Sequence, residues 1–254
     1  MRRSCSIAGW LSAGMLFVTA WSVSPATAAT LENTFYAAST TLFFRVSDEA
    51  LRKLLPVGWE PATIPQMQSG NLTVTFTDIL ASDTRDGQPG ETVRAVWLST
   101  PVQKRGAGEK AGAVLGGLAS HPSFVPGPYG NYTLAQAHLD RRRQIEATGA
   151  SVSEQWQFVS DNGAKLELRL TFTDGPVRHL KPPESRVLSA TKPNLRRLNK
   201  TEVVVQQVRF GDTDAVKEIA FAASGPLLSS LFDGSEQLIA VISAPWLMTQ
   251  VLVP

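Results

Sequence analysis

The stretch Tyr129–Arg143, YGNYTLAQAHLDRRR, holds two tyrosines, a histidine, an aspartate and three arginines. If Leu134–Ile145 is helical, Ala135, His138 and Arg142 share one face, and Asp140 and Arg141 turn elsewhere. One or two of Arg141, Arg142 and Arg143 could grip a carboxylate bidentately. His138 could exchange a proton near neutral pH, and Tyr132 could shape the pocket. The same run also suits a solvated face on which the arginines pair with Asp140 and Glu146.

Other reactive side chains carry weaker patterns. Arg94 and Trp97 fall on opposite faces of one strand, so at most one of them points into an enclosed site. Trp97 has the area of a core residue. Glu154 and Trp156 share a strand face, with Glu167 and Arg169 expected across a hairpin, where pairing accounts for the charges. His121 stands beside Pro122 and His179 lies between Pro176 and Pro182, with no third ligand spaced for a metal, so no metal and no other cofactor is expected. Gly106–Gly117, GAGEKAGAVLGG, lacks the Gly-Lys-Ser/Thr ending of a phosphate loop and reads as a flap. Asn71, Asn131 and Asn199 begin Asn-x-Ser/Thr matches that matter only in a glycosylating host.

The elements that must position these groups are mostly strands. Thr40–Val46 reads as a strand and Asp48–Leu55 as a short helix, capped by Ser47 or Asp48 and ended at Pro56. Asn71–Leu80 alternates, with Leu72, Val74, Phe76 and Asp78 on one side and Thr73, Thr75 and Thr77 on the other. Glu91–Ser99 is a further strand. Ser151–Val159 and Lys165–Thr173 flank Ser160-Asp161-Asn162-Gly163, a hairpin turn. Val203–Phe210 and Ala215–Ala222 are expected to pair around Gly211-Asp212. Gly225–Phe232 reads as a short helix and Gln237–Pro245 as a last strand. Antiparallel strands with few helices indicate one curved or closed sheet with helices packed outside.

The N-terminus reads as an export signal. Arg2 and Arg3 precede a mostly apolar Ile7–Val23, and Ala26-Thr27-Ala28 supplies a small-x-small cleavage pattern. Residues 1–28 are thus expected to leave a single domain over 29–254, exported to the periplasm or beyond the cell. An uncleaved anchor is the other reading of the apolar run. Ser12, Gly14, Thr19 and Ser22 interrupt that run, which suits cleavage better than a permanent span. Cleavage removes two of the 24 Lys+Arg and none of the 22 Asp+Glu, so the formal +2 charge goes with it. The basic excess therefore implies neither nucleic acid nor an anionic membrane as a partner of the mature chain. Cys5, the only cysteine, goes too, so no disulfide or thiolate site is expected.

Several segments together resemble the acetoacetate decarboxylase family: TLFFRVSDEALRKLLP at Thr41–Pro56, KPNL at Lys192–Leu195, GDTDAVKEIAFAASGPLLSSLF at Gly211–Phe232, and IAVISAPWLMTQVLVP at Ile239–Pro254. The resemblance implies an α+β fold, a strongly curved antiparallel β barrel or cone with a few peripheral helices, whose interior holds the site. In that family a lysine forms a Schiff base with a β-keto acid. Desolvation and a neighbouring lysine lower its pKa enough to supply a free amine.

Residue by residue, the family's functional groups do not carry over. Its Pro-Lys-Lys segment falls on Arg141-Arg142-Arg143, and a guanidinium cannot present a free amine. Its strand arginine falls near Ala37, and one glutamate near Thr77. For a second, loop-borne glutamate only Glu91 offers a substitute. The resemblance therefore implies an exported barrel that binds a small keto acid or related carboxylate without Schiff-base chemistry. The ligand-binding candidates are Tyr132, His138, Arg141, Arg142 and Arg143, with Glu91 and Arg94. The alternative is a lyase acting through another lysine, with Lys104, Lys110 and Lys192 the ones to test. Family relatives form large oligomers, so a homo-oligomer is compatible with the resemblance.

Overall fold

The computed structural model describes residues 29–64, 67, 69–146 and 149–254. The expected signal segment, 1–28, lies outside them. In chain order the elements are β1 (Thr30–Arg45), α1 (Asp48–Leu54), β2 (Trp59–Pro61), β3 (Leu72–Thr84), β4 (Val93–Lys104), β5 (Lys110–Ala119) and β6 (Tyr132–Glu146). Then follow β7 (Gly149–Ser160), β8 (Lys165–Thr173), β9 (Arg178–Leu180), β10 (Ser185–Ser189), β11 (Arg196–Phe210), β12 (Thr213–Asp214), β13 (Val216–Ser224) and β14 (Gln237–Val253).

Seven of these strands close a barrel. Its order is β4-β3-β1-β14-β11-β10-β5, and β5 returns to pair with β4. Every pairing in the ring is antiparallel except β10 with β5. At Gly117–Ala119, β5 also pairs in parallel with the start of β6. From there β6, β7, β8 and β13 form an antiparallel sheet outside the barrel wall.

This arrangement gives the walls two buried faces and explains their alternation. Leu72, Val74 and Phe76 of β3 point away from the barrel axis and pack with Leu42, Phe44, Val96 and Leu98 against Trp156, Phe158, Leu166 and Leu168 of the outer sheet. Phe76 lies 5.7 Å from the Trp156 ring and 6.2 Å from Phe158. Thr73, Thr75 and Thr77 therefore point into the barrel, beside Ala37, Phe43, Ala95, Val203 and Leu247 of a second apolar cluster. The more apolar face of β3 meets the outer sheet, and the hydroxyl face lines the barrel.

The local signals around α1 hold. Ser47 accepts from the Ala50 amide at 3.4 Å, and Asp48 and Glu49 stand in the first turn. Leu55, ahead of Pro56, is already extended. Between β7 and β8, Gly163 adopts a φ of +85°, which suits glycine, and the Ala164 amide donates to Asn162 Oδ1 at 3.1 Å.

Four expectations are corrected. Leu134–Ile145 is not helical but part of β6, because twelve-residue pairing with β7 outweighs the helix propensity of its Ala, Leu, Gln and Arg. Gly106–Gly117 is no flap: its second half is β5, a barrel stave. Val203–Phe210 and Ala215–Ala222 do not form a strand pair, since β11 pairs along its length with β14 while β13 crosses to β8. Only Arg209 with Asp214 and Phe210 with Thr213 pair around that turn. Gly225–Phe232 forms just a 3₁₀ turn over Leu228–Ser230.

Candidate ligand site

The barrel interior holds a partly open cavity of about 220 Å³. Ser39, Thr41 and Phe43 reach it from β1, Thr75 from β3 and Trp97 from β4. Thr201, Val203 and Val205 come from β11, and Ile242, Ala244 and Leu247 from β14, while Ile64 and Met67 cover it from the segment before β3. That space exceeds what one water needs and falls below the range of drug-sized sites. Among the described residues lining it there is no lysine, arginine, histidine, aspartate or glutamate.

Four hydroxyls stand in an otherwise apolar lining. Thr41 Oγ1 lies 3.3 Å from Thr75 Oγ1. Thr201 Oγ1 lies 3.2 Å from Thr249 Oγ1. Ser39 is directly opposite Thr77 in the β1–β3 ladder. Thr77 is fully buried, and its Oγ1 has no hydrogen-bond partner. Ala37 and Thr77, where the family resemblance places an arginine and a glutamate, both face this interior.

Alternation along β6 separates the three arginines. Arg141 turns toward the outer face of the barrel and donates from Nε to Glu154 Oε1 at 2.9 Å. Arg142 faces solvent and grips Asp140 at 2.8 Å, which holds the Asp140 carboxyl below its usual range. Arg143 pairs with Asp174 at 2.6 Å. None of the three is among the cavity-lining residues.

The other candidates are dispersed as well. His138 is exposed on β6 opposite Gln157. Glu91 is exposed in the loop before β4. Arg94 lies on the outer side of β4, 3.5 Å from Asp78, while Trp97 takes the inner side. Tyr132 is buried against Phe124, and burial raises its phenol well above the usual value. Nearby Tyr129 is pushed up to about 12, again by burial, with a hydrogen bond from Asn199 acting in the opposite sense. Lys104, Lys110 and Lys192 are exposed. Of all the lysines only Lys165 is partly buried, and it pairs with Glu167 at 2.9 Å.

Glu154, expected from the sequence only in cross-strand pairing, is 3% exposed. Thr40 Oγ1 donates to its Oε2 at 2.6 Å and Trp156 Nε1 donates to the same oxygen at 2.9 Å. The Arg141 guanidinium sits 5.4 Å above the Trp156 ring. Across the hairpin Glu154 faces Leu170, while Glu167 and Arg169 face Gln157 and Gln155, so the expected charge pairing is corrected. One signal was present: Glu154 shares its face with Trp156 and Phe158, which alternation sends into a core. The cluster is a satisfied ion pair within the outer sheet, tied to the barrel by the Thr40 hydroxyl and separate from the cavity.

No protein-family model and no curated protein sequence matches the chain. Solved structures do. The enduracididine biosynthesis enzyme MppR complexed with pyruvate superposes with a TM-score of 0.53 at 13% identity, covering 90% of each chain. An acetoacetate decarboxylase-like enzyme from Sphingomonas wittichii RW1 also gives a TM-score of 0.53, at 15% identity over 87% of this chain and 90% of that one. The protein has the acetoacetate decarboxylase-like fold.

Proposed function

We propose that the protein is an exported binding protein that holds a small, uncharged molecule inside the barrel and performs no Schiff-base chemistry. The observation that carries this reading is the lining of the cavity: hydroxyls and apolar side chains where a lysine mechanism needs an amine. Pyruvate bound to MppR supports small-molecule binding by barrels of this shape. The keto-acid or carboxylate ligand implied by the sequence resemblance meets no counter-charge among the described lining residues. An unpaired ionised carboxylate in such a cavity costs on the order of several kcal/mol. A neutral carbonyl compound or alcohol does not meet that penalty. Export rests on the segment 1–28, and its test is the N-terminal sequence of the protein recovered outside the cytoplasm.

The binding claim is tested on the full chain carrying ¹³C-methyl methionine. Met67 lines the cavity, while Met248 lies on the outer side of β14 and serves as a reference. Cyclohexanone is expected to shift the Met67 methyl and leave Met248 in place, and cyclohexanecarboxylate at pH 7 to shift neither. A carboxylate that moves Met67 more readily than the ketone would overturn the neutral-ligand reading.

A further inference from the structure

One row of the cavity wall differs from the rest of the lining. Ile242 on β14, Thr41 on β1, Thr75 on β3 and Trp97 on β4 are successive neighbours across the ladders, and all four line the cavity. At the middle of that row Thr41 Oγ1 and Thr75 Oγ1 lie 3.3 Å apart. Both threonines are only half-buried. The other threonine pair is arranged differently. Thr201 lines the cavity, but Thr249, its partner at 3.2 Å, does not and is 6% exposed. Apart from Thr201, the lining contributed by β11 and β14 is apolar, with Val203, Val205, Ala244 and Leu247. The hydroxyls therefore gather on β1 and β3.

A threonine hydroxyl carries one proton and two lone pairs. Two hydroxyls joined by one hydrogen bond use one of their two protons. The Thr41–Thr75 pair thus keeps one spare donor, whichever of the two gives, and neither hydroxyl has a further partner among the described residues. Two valines would line the row with the same shape and without that donor, nearly without cost to stability. A single accepting oxygen satisfies the spare proton, and the row offers nothing to balance a charge. Trp97 and Ile242 bracket the pair, so such an oxygen meets apolar surface on either side.

Resting on the binding reading above, we propose that the Thr41–Thr75 pair orients the ligand within the cavity. The spare hydroxyl proton is donated to the ligand's one uncharged oxygen, between Trp97 and Ile242. The apolar body then lies toward β11 and β14, against Val203, Val205, Ala244 and Leu247. The ligand class is a small ketone, aldehyde or ether with an apolar body.

The test compares cyclohexanone with methylcyclohexane, read at the Met67 methyl, in the native full chain, in Thr41→Val, in Thr75→Val and in the double variant. The native chain is expected to bind both probes. A single substitution leaves the other hydroxyl with its own proton free, so cyclohexanone is expected to weaken by no more than about threefold. The double variant removes the donor altogether and is expected to weaken cyclohexanone about tenfold, the scale of one lost hydrogen bond. Methylcyclohexane is expected to keep its affinity there, which also shows that the barrel is folded. Thr201→Val, on β11, is expected to leave both probes unchanged. Three results would overturn the orienting pair while leaving cavity binding intact. They are equal binding of cyclohexanone in the double variant and the native chain, an equal loss of both probes, or the full loss from one single change, Thr201→Val included. If neither probe moves Met67 in the native chain, cavity binding itself fails and the orienting pair with it.

Discussion

The barrel interior and the layer between barrel and outer sheet handle polarity in opposite ways. The interlayer core is lined by Phe76, Trp156 and Phe158, yet it buries Glu154 and meets its carboxylate with Arg141, Thr40 and the Trp156 indole. The barrel interior leaves space open, lines it with hydroxyls, and admits no charge among its described lining residues. A buried carboxylate is tolerated where its partners are complete. Behind the cavity lining, the buried Thr77 hydroxyl has no hydrogen-bond partner. The two regions thus divide labour: one ties layers together, the other keeps an uncharged site.

The largest expected effect breaks the tie. Arg141→Met leaves Glu154 buried without its cation and is expected to cost about 3 kcal/mol, the low end for such a loss because the arginine is partly exposed. Adding Glu154→Leu is expected to recover most of it, measured by urea unfolding at constant slope. A loss below about 1 kcal/mol for the single change would show that the ion pair is not what holds the carboxylate.

The next effect is alkaline. Tyr129 is held up to about 12 by burial, so the folded state keeps its phenol proton longer than the unfolded chain, whose phenol titrates near 10. That contribution is full below pH 10 and is lost as pH rises through about 12, amounting to about 2–3 kcal/mol. Absorbance at 295 nm is expected to show Tyr129 and Tyr132 ionising only together with unfolding. Smooth ionisation of all three tyrosines in a folded sample would contradict the burial.

Thr77→Val is expected to stabilise by about 1 kcal/mol, because it removes an unpartnered buried hydroxyl. Destabilisation of similar size would mean that the hydroxyl is satisfied, by an internal water for example, and would weaken the contrast between the two regions. Arg142→Ala, on the solvent face, is expected to leave the unfolding midpoint unchanged.

Most strands and α1 could be read from alternation and capping, and the segments quoted from Thr41 and from Ile239 pointed to the fold. Alternation also divided Leu72, Val74 and Phe76 from Thr73, Thr75 and Thr77, although it could not say that the hydroxyl face lines the barrel. That assignment depends on the outer sheet covering the other side, a long-range feature with no local signature. The stretch Tyr129–Arg143 misled because its composition favours a helix, while its conformation is set by pairing with β7. Once it is a strand, period two sends Arg141 and Arg142 to opposite faces and the clamp dissolves. Glu154 was set aside by assuming a register in which it met Glu167 and Arg169. The true register differs, and one shifted pairing decides which face a charge occupies.

No lysine stands among the described residues lining the barrel cavity. Intact mass of the folded full chain, after incubation with acetoacetate and borohydride, tests it most directly. No stable mass increase is expected, because the cavity offers no lysine to form an imine. An adduct mapped to a single lysine would contradict the account and return the protein to Schiff-base chemistry.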